Sequence, residues 1–526
     1  KTDESGYELS TPSAGGGGGE SKTTEDIDLY VDPATGSDDN PGTDDLPFAT
    51  IAKALSVVPK IINHYVCINL LPGTYTENVY IEGFKTEITP DHYNYKGLLE
   101  IYAEEAVFTS AAMTDWNCSL REVWRTEHPW NQNPTSAFFI ANCSVDILID
   151  GSSATDLVFN MGGAHATYGA CAIFVANCDQ VVWVTKATFA GATGENIGGV
   201  WAQDSRVNVS KCAFDYCNAF YVRADGSYAD AVVSEATETN ISEVYCRLMA
   251  IHHGRVTIGA ISNPWTLNDD KDLMLFGGKI IHHSVEKALK KDVTVHVTNG
   301  PTFAIESVMR WDTTDYPFPT LQSALDSLPK FIDSTVTIVL ESGNAAGRGP
   351  AVFEGFHGAG KISVSVGDTG FTQITAGSEM AIQLTHSTSV KATLAFVGND
   401  IPIEVKGYGS ASKLAVVPYA ESGSAAIVAV NNGGLIRFEN LIILPVEGEE
   451  GISSGILAMN SPVYITGSVV NEMAEVAKVL AGARVELNTL IGSGNVKLYD
   501  CAANGHLSVD ASSIANCAKT GSNTIA

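Results

Sequence analysis

The sequence predicts an all-β chain: two tandem parallel β-helices, each opened by a short capping α-helix. Three observations predict it. Charged residues are 17% of the 526, Gly numbers 49, and Val, Ile, Thr and Ser abound; this is the composition of β-branched rungs joined by small-residue bends. Phrases of two short strands flanking a polar bend recur along the chain. One module of strand, turn-rich loop, short helix and strand comes twice.

The first copy of that module runs Tyr30-Val-Asp-Pro33, Gly36-Ser-Asp-Asp-Asn-Pro-Gly-Thr43, Pro47-Phe-Ala-Thr-Ile-Ala-Lys-Ala-Leu55 and Leu71-Pro-Gly-Thr-Tyr75. The second returns 270 residues later: Pro47-Phe48, Thr50, Ala54-Leu55 and Pro59-Lys60 match Pro317-Phe318, Thr320, Ala324-Leu325 and Pro329-Lys330 without a gap. Val66, Ile68 and Leu70 match Val336, Ile338 and Leu340, and Glu82-Gly83-Phe84 returns as Glu354-Gly355-Phe356. The second copy lacks the Asp-Asn-Pro-Gly loop. Ile51, Leu55 and Val58 fall on one helical face, as do Leu321, Leu325 and Leu328. A prolines-bounded amphipathic helix suits the end of a strand stack, where backbone groups and apolar side chains lie open.

Residues 30–81 resemble the opening of pectin-lyase-like right-handed parallel β-helices. The resemblance implies a right-handed coil. It occurs in secreted polysaccharide lyases, in surface proteins of no known activity and in phage tail proteins, so it speaks to fold before function. In character the chain is closest to phage tail spike and fibre proteins, which implies a homotrimer.

The segments follow in order. Residues 1–26, with Gly15–Gly19, form a flexible acidic and Gly-rich arm. Residues 27–265 are the first β-helix, with its cap and an aromatic-rich excursion carrying Trp116, Trp124 and Trp130. Such aromatics offer a sugar-stacking surface or plug one side of the coil. The rungs become legible from residue 136: Phe138-Phe-Ile-Ala-Asn-Cys143 parallels Ile173-Phe-Val-Ala-Asn-Cys178, and Gly199-Val-Trp-Ala-Gln-Asp204 follows. Residues 266–312 are a connector. Residues 313–526 are a second, smaller β-helix, with turns such as Ala426-Ile-Val-Ala-Val-Asn431 and Gly455-Ile-Leu-Ala-Met-Asn460.

The net charge is −29, and residues 1–46 hold twelve acidic residues against two lysines. Nucleic-acid binding needs basic surface and is not expected. No apolar run is long enough to cross a membrane, and no signal peptide is visible. Ten cysteines without a Cys-x-x-Cys pair do not read as a zinc site or a disulfide framework; stacked small side chains explain phrases such as Ala141-Asn-Cys143 and Ala176-Asn-Cys178. No metal site is expected, though Ca²⁺ would accompany a lyase.

Chemistry on such a scaffold needs a base beside acidic groups, or a carboxylate pair on neighbouring rungs. The densest set falls at residues 204–230. Its catalytic candidates are Asp204, Lys211, Asp215 and Asp225, its binding candidate is Arg223, and His252-His253 lies nearby. Asp204 and Asp225 also fit plain turn roles. The leading expectation is therefore a virion structural protein, a tail spike, fibre or surface appendage. It would be assembled in the host cytoplasm, joined to other tail proteins through its arm, and bound to host-surface polysaccharide. The alternatives are a secreted polysaccharide lyase or glycoside hydrolase, and a non-catalytic bacterial surface adhesin.

Overall fold

The protein is described by a computed structural model covering residues 21–509 apart from 88–96, 116–134, 162–169, 192–196, 241–245, 260–264, 298–317, 342–349, 367–371, 376–379, 408–413, 446–452, 491–494 and scattered gaps of one to three positions. Its described residues form two stacks of parallel strands, each built from three sheets. In the first stack, each coil between Tyr65 and Ile251 visits sheet one, then sheet two, then sheet three. The fourth coil shows the pattern: Val181–Thr185, Ala187–Ala190, then Ile197–Gln203. Sheet one has ten strands, sheet two six and sheet three eight. The second stack repeats the plan with sheets of eight, four and seven strands.

Each stack opens in the same way. Ile27–Val31 pairs with Tyr65–Leu70, and between them lies helix α1 (Ile51–Val57). Val293–Val297 pairs with Thr335–Leu340 around helix α2 (Leu321–Ser327). Strands Asp272–Met274 and Lys279–His282 extend the first stack and Val293–Val297 opens the second, so paired strands enter the segment expected as a connector. Both helices bury the face anticipated from their spacing: Ile51, Leu55 and Val58 in one, Leu321, Leu325 and Leu328 in the other.

The two helices are capped by different means. Thr50 accepts from the Lys53 N–H, and Thr320 and Ser323 form a reciprocal capping box. In the first copy the Asp38 carboxylate also accepts from the Ala49 and Thr50 N–H groups at 3.0 Å each. Glu77 accepts from Ile51 N–H (2.7 Å) and Ala52 N–H (3.1 Å). The acidic loop thus serves the helix start, and the second copy dispenses with it. What both copies keep is a clasp. The Lys60 ammonium lies 3.8 Å from the Phe84 ring centre, and Lys330 lies 4.1 Å from that of Phe356. This pairing accounts for the repeated Pro-Lys and Glu-Gly-Phe phrases.

Stacking makes one position recur down the coil. Along the inner side of sheet two, Tyr75, Phe108, Phe159, Phe189 and Phe214 form a ladder with successive ring centres 5.2, 5.3, 5.2 and 5.0 Å apart. At the corner after sheet three, Gly83, Asn142, Asn177, Asp204, Gly226 and His252 all take positive φ, which turns the chain sharply. After Gly83, Asn142, Asn177 and Asp204 the next residue is buried, whereas Ser227 and His253 are exposed. Cys143 and Cys178 occupy that place, their thiols donating to the carbonyls of Ala141 and Ala176. In the second stack the same place holds a buried amide ladder: Asn399 Nδ2 donates to Asn432 Oδ1 (2.9 Å), and Asn432 Nδ2 to Ser461 Oγ (3.0 Å). Among the described residues seven cysteines are buried, Cys501 is partly exposed, and all eight are unpaired.

Candidate functional site

The coil separates several residues that the sequence brings close. Asp204 sits at the corner between sheets three and one, Lys211 at the corner between sheets one and two, and Asp215 ends a sheet-two strand. These three lie around the circumference of one coil and do not share a face. Asp204 Oδ1 accepts from the Tyr228 N–H (3.2 Å), and Asp215 Oδ1 accepts from Thr239 Oγ1 and Asn240 Nδ2 at 2.7 Å each. Both carboxylates therefore brace turns. Trp116, Trp124 and Trp130 lie outside the described residues, as does most of the arm.

Arg223 and Asp225 do come together. They occupy alternate positions of Phe220–Asp225 and point away from the coil interior, yet their side chains are only 2% and 5% exposed. Their carboxylate–guanidinium contact is joined by His252 from the next coil, whose Nδ1 lies 2.7 Å from Asp225 Oδ1. The guanidinium carbon sits 3.7 Å from the Trp201 ring centre, and Arg223 Nε is buried without a hydrogen-bond partner. Burial alone would raise the Asp225 carboxyl. The Arg223 charge and the His252 bond outweigh it and hold the group well below the usual carboxylate range. An ionised Asp225 only accepts, so His252 Nδ1 is the donor, and imidazole chemistry is directed to Nε2. Neighbouring Arg247 is clamped by Asp272 in two bonds of 2.8 and 2.7 Å, with Glu238 at 3.4 Å.

The outward side of sheet one is different in kind. Register aligns Glu100, Leu148, Trp183 and Asn208 in one column. A second column two residues along aligns Tyr102, Asp150, Thr185 and Ser210. Trp183 is 38% exposed, on a position where its ring has no place in the core. The Asn208 Oδ1 atom beside it is buried and accepts nothing. Tyr65 donates to the nearly buried Glu100, while Thr185 and Lys186 hold Asp150. Burial pushes the Glu100 carboxyl upward. The Tyr65 bond opposes this and the Asp150 charge adds to it, leaving the group raised. Burial likewise pushes the adjacent Cys67 thiol up to about 12. Two residues along the strand and one rung across place the Glu100 and Asp150 Cα atoms about 8 Å apart.

No protein-family model and no curated protein matches the sequence. Among solved structures it is similar to a GH136 lacto-N-biosidase from Eubacterium ramulus, at 10% identity and a TM-score of 0.26, covering 92% of this chain and 67% of that one. It is also similar to a rhamnogalacturonan lyase, at 13% identity and a TM-score of 0.23, covering 77% and 85%.

The sheet-one face escapes a sequence search for clustered carboxylates because Glu100, Asp150 and Trp183 are far apart in the chain. The signal that finds it is alignment of rungs. Once Asp146–Gly151 is set against Val181–Thr185, an outward Trp on a polar face stands out.

Proposed function

We propose that this protein is a carbohydrate-binding rod whose first stack holds glycan on the outward face of sheet one. The observation that carries this reading is Trp183, an exposed indole on the outward face of a sheet-one strand. An aromatic ring offers an apolar platform to the faces of a pyranose. In its finer form the proposal is a phage tail spike, tail fibre or related surface appendage. It would act as a homotrimer, with the arm at 1–26 joining other tail proteins. The two-stack architecture and the acidic chain support that form. Glycan-array binding with the wild type and Trp183→Ala tests the first part: the variant should lose at least about tenfold in affinity, and equal binding overturns it. Light scattering and immunogold labelling test the second; a monomer absent from particles but present on bacterial cells indicates an adhesin instead. A second reading, a secreted glycan-cleaving enzyme, is favoured by the Glu100–Asp150 spacing.

A further inference from the structure

Trp183, the proposed glycan platform, lies one rung from Asp150 and two rungs from Glu100, carboxyl groups that the binding role does not use. Glu100 and Asp150 project from the same outward face, offset diagonally, and each is fixed by protein partners: Tyr65 on Glu100, Thr185 and Lys186 on Asp150. Trp183 follows Glu100 two rungs down the same column, with the partnerless Asn208 oxygen one rung beyond. A glycan running along the coil axis and seated on Trp183 would place its next linkage over the two carboxyls. A pair of this kind, far enough apart to admit a water, suits hydrolysis with inversion.

We propose that Glu100 and Asp150 hydrolyse a glycosidic bond of a glycan held on Trp183, which rests on the binding reading above. Glu100 gives its proton to the leaving oxygen as the C1–O bond breaks. Asp150 takes a proton from water as the water oxygen bonds to C1 from the opposite face. One water is consumed, one reducing end forms with inverted configuration, and solvent returns Glu100 and Asp150 to their starting protonation states. Tyr65 and Lys186 are positioning residues. The nearly buried setting of Glu100, which raises its carboxyl, is what a proton donor at neutral pH requires.

The test uses the full chain and a panel of neutral and uronate polysaccharides and bacterial capsules, reading binding and new reducing ends separately. Wild type should release reducing ends without unsaturated products, and NMR of the first product should show inversion. Glu100→Gln and Asp150→Asn should each lose at least about 100-fold in kcat/KM while still binding the same glycan. Glu100→Asp, which keeps the acid and moves it, should retain more activity than Glu100→Gln, and thermal unfolding checks that every variant is folded. Binding without cleavage by the wild type overturns hydrolysis and leaves the binding reading intact; absence of binding overturns the reading beneath it. Unsaturated ends, retained configuration or an active Glu100→Gln overturn the assignment of roles.

Discussion

Removing the Asp225 carboxylate should be among the most damaging single changes in the first stack. Arg223 is 2% exposed and Asp225 5%, so Asp225→Ala strands a guanidinium away from water. Its Nε already lacks a partner, its Nη2 would lose its carboxylate, and the rings of Trp201 at 3.7 Å and Phe220 at 6.0 Å would remain. Breaking a buried pair from one side costs about 3–5 kcal/mol. For a cooperative unit of this size that lowers the unfolding midpoint by roughly 6–20 °C. Replacing both partners, as Arg223→Met with Asp225→Leu, removes the stranded charge and should recover most of the loss. Calorimetry of wild type, single and double variants reads this directly. The pH dependence has a fixed sign. Because the folded carboxyl is held below its ordinary value of 3.8, its contribution is complete above about pH 4 and is lost as pH falls through the lowered folded value. The gap between wild type and Asp225→Ala should therefore stay flat from about pH 5 to 8 and close only in acid. A single variant within about 1 kcal/mol of wild type, or a double variant no better than the single, refutes the account.

Other outcomes follow from the same geometry. Lys60→Met and Lys330→Met should each cost about 0.5–2 kcal/mol, seen as faster hydrogen exchange in the cap helix of the affected stack alone. Asn432→Leu should cost at least about 2 kcal/mol, since it removes the acceptor of the buried Asn399 N–H; chemical denaturation of the second stack would show it. His253→Gly should stabilise by about 1 kcal/mol in thermal unfolding, because exposed His253 holds φ at 69° without a side-chain requirement evident in its surroundings.

The fold was legible because stacking forces repetition. The alternation of Val66, Ile68 and Leu70, and of their counterparts Val336, Ile338 and Leu340, is the inward side of sheet-one strands. The paired Pro-Phe-x-Thr phrases are helix starts, and the paired Lys and Phe are the clasps beneath them. The site was not legible by proximity in sequence. In a three-sheet coil, residues ten apart stand on opposite sides, as Asp204, Lys211 and Asp215 do. Spatial neighbours come one full coil later, and coil length varies with each insertion, which hides Glu100, Asp150 and Trp183 from one another. Arg223 and Asp225 were the exception because positions two apart in a strand share a face. That their outward face is buried depends on what packs over it, which local pattern does not encode.

The separate caps carry a consequence for how such a chain is counted out. Parallel rungs have no intrinsic stopping number: any exposed end rung is a template for one more, from the same chain or from another. A helix held by Lys60 and Phe84, and again by Lys330 and Phe356, sets a fresh origin for each stack. The chain behaves as two rulers, each with its own zero.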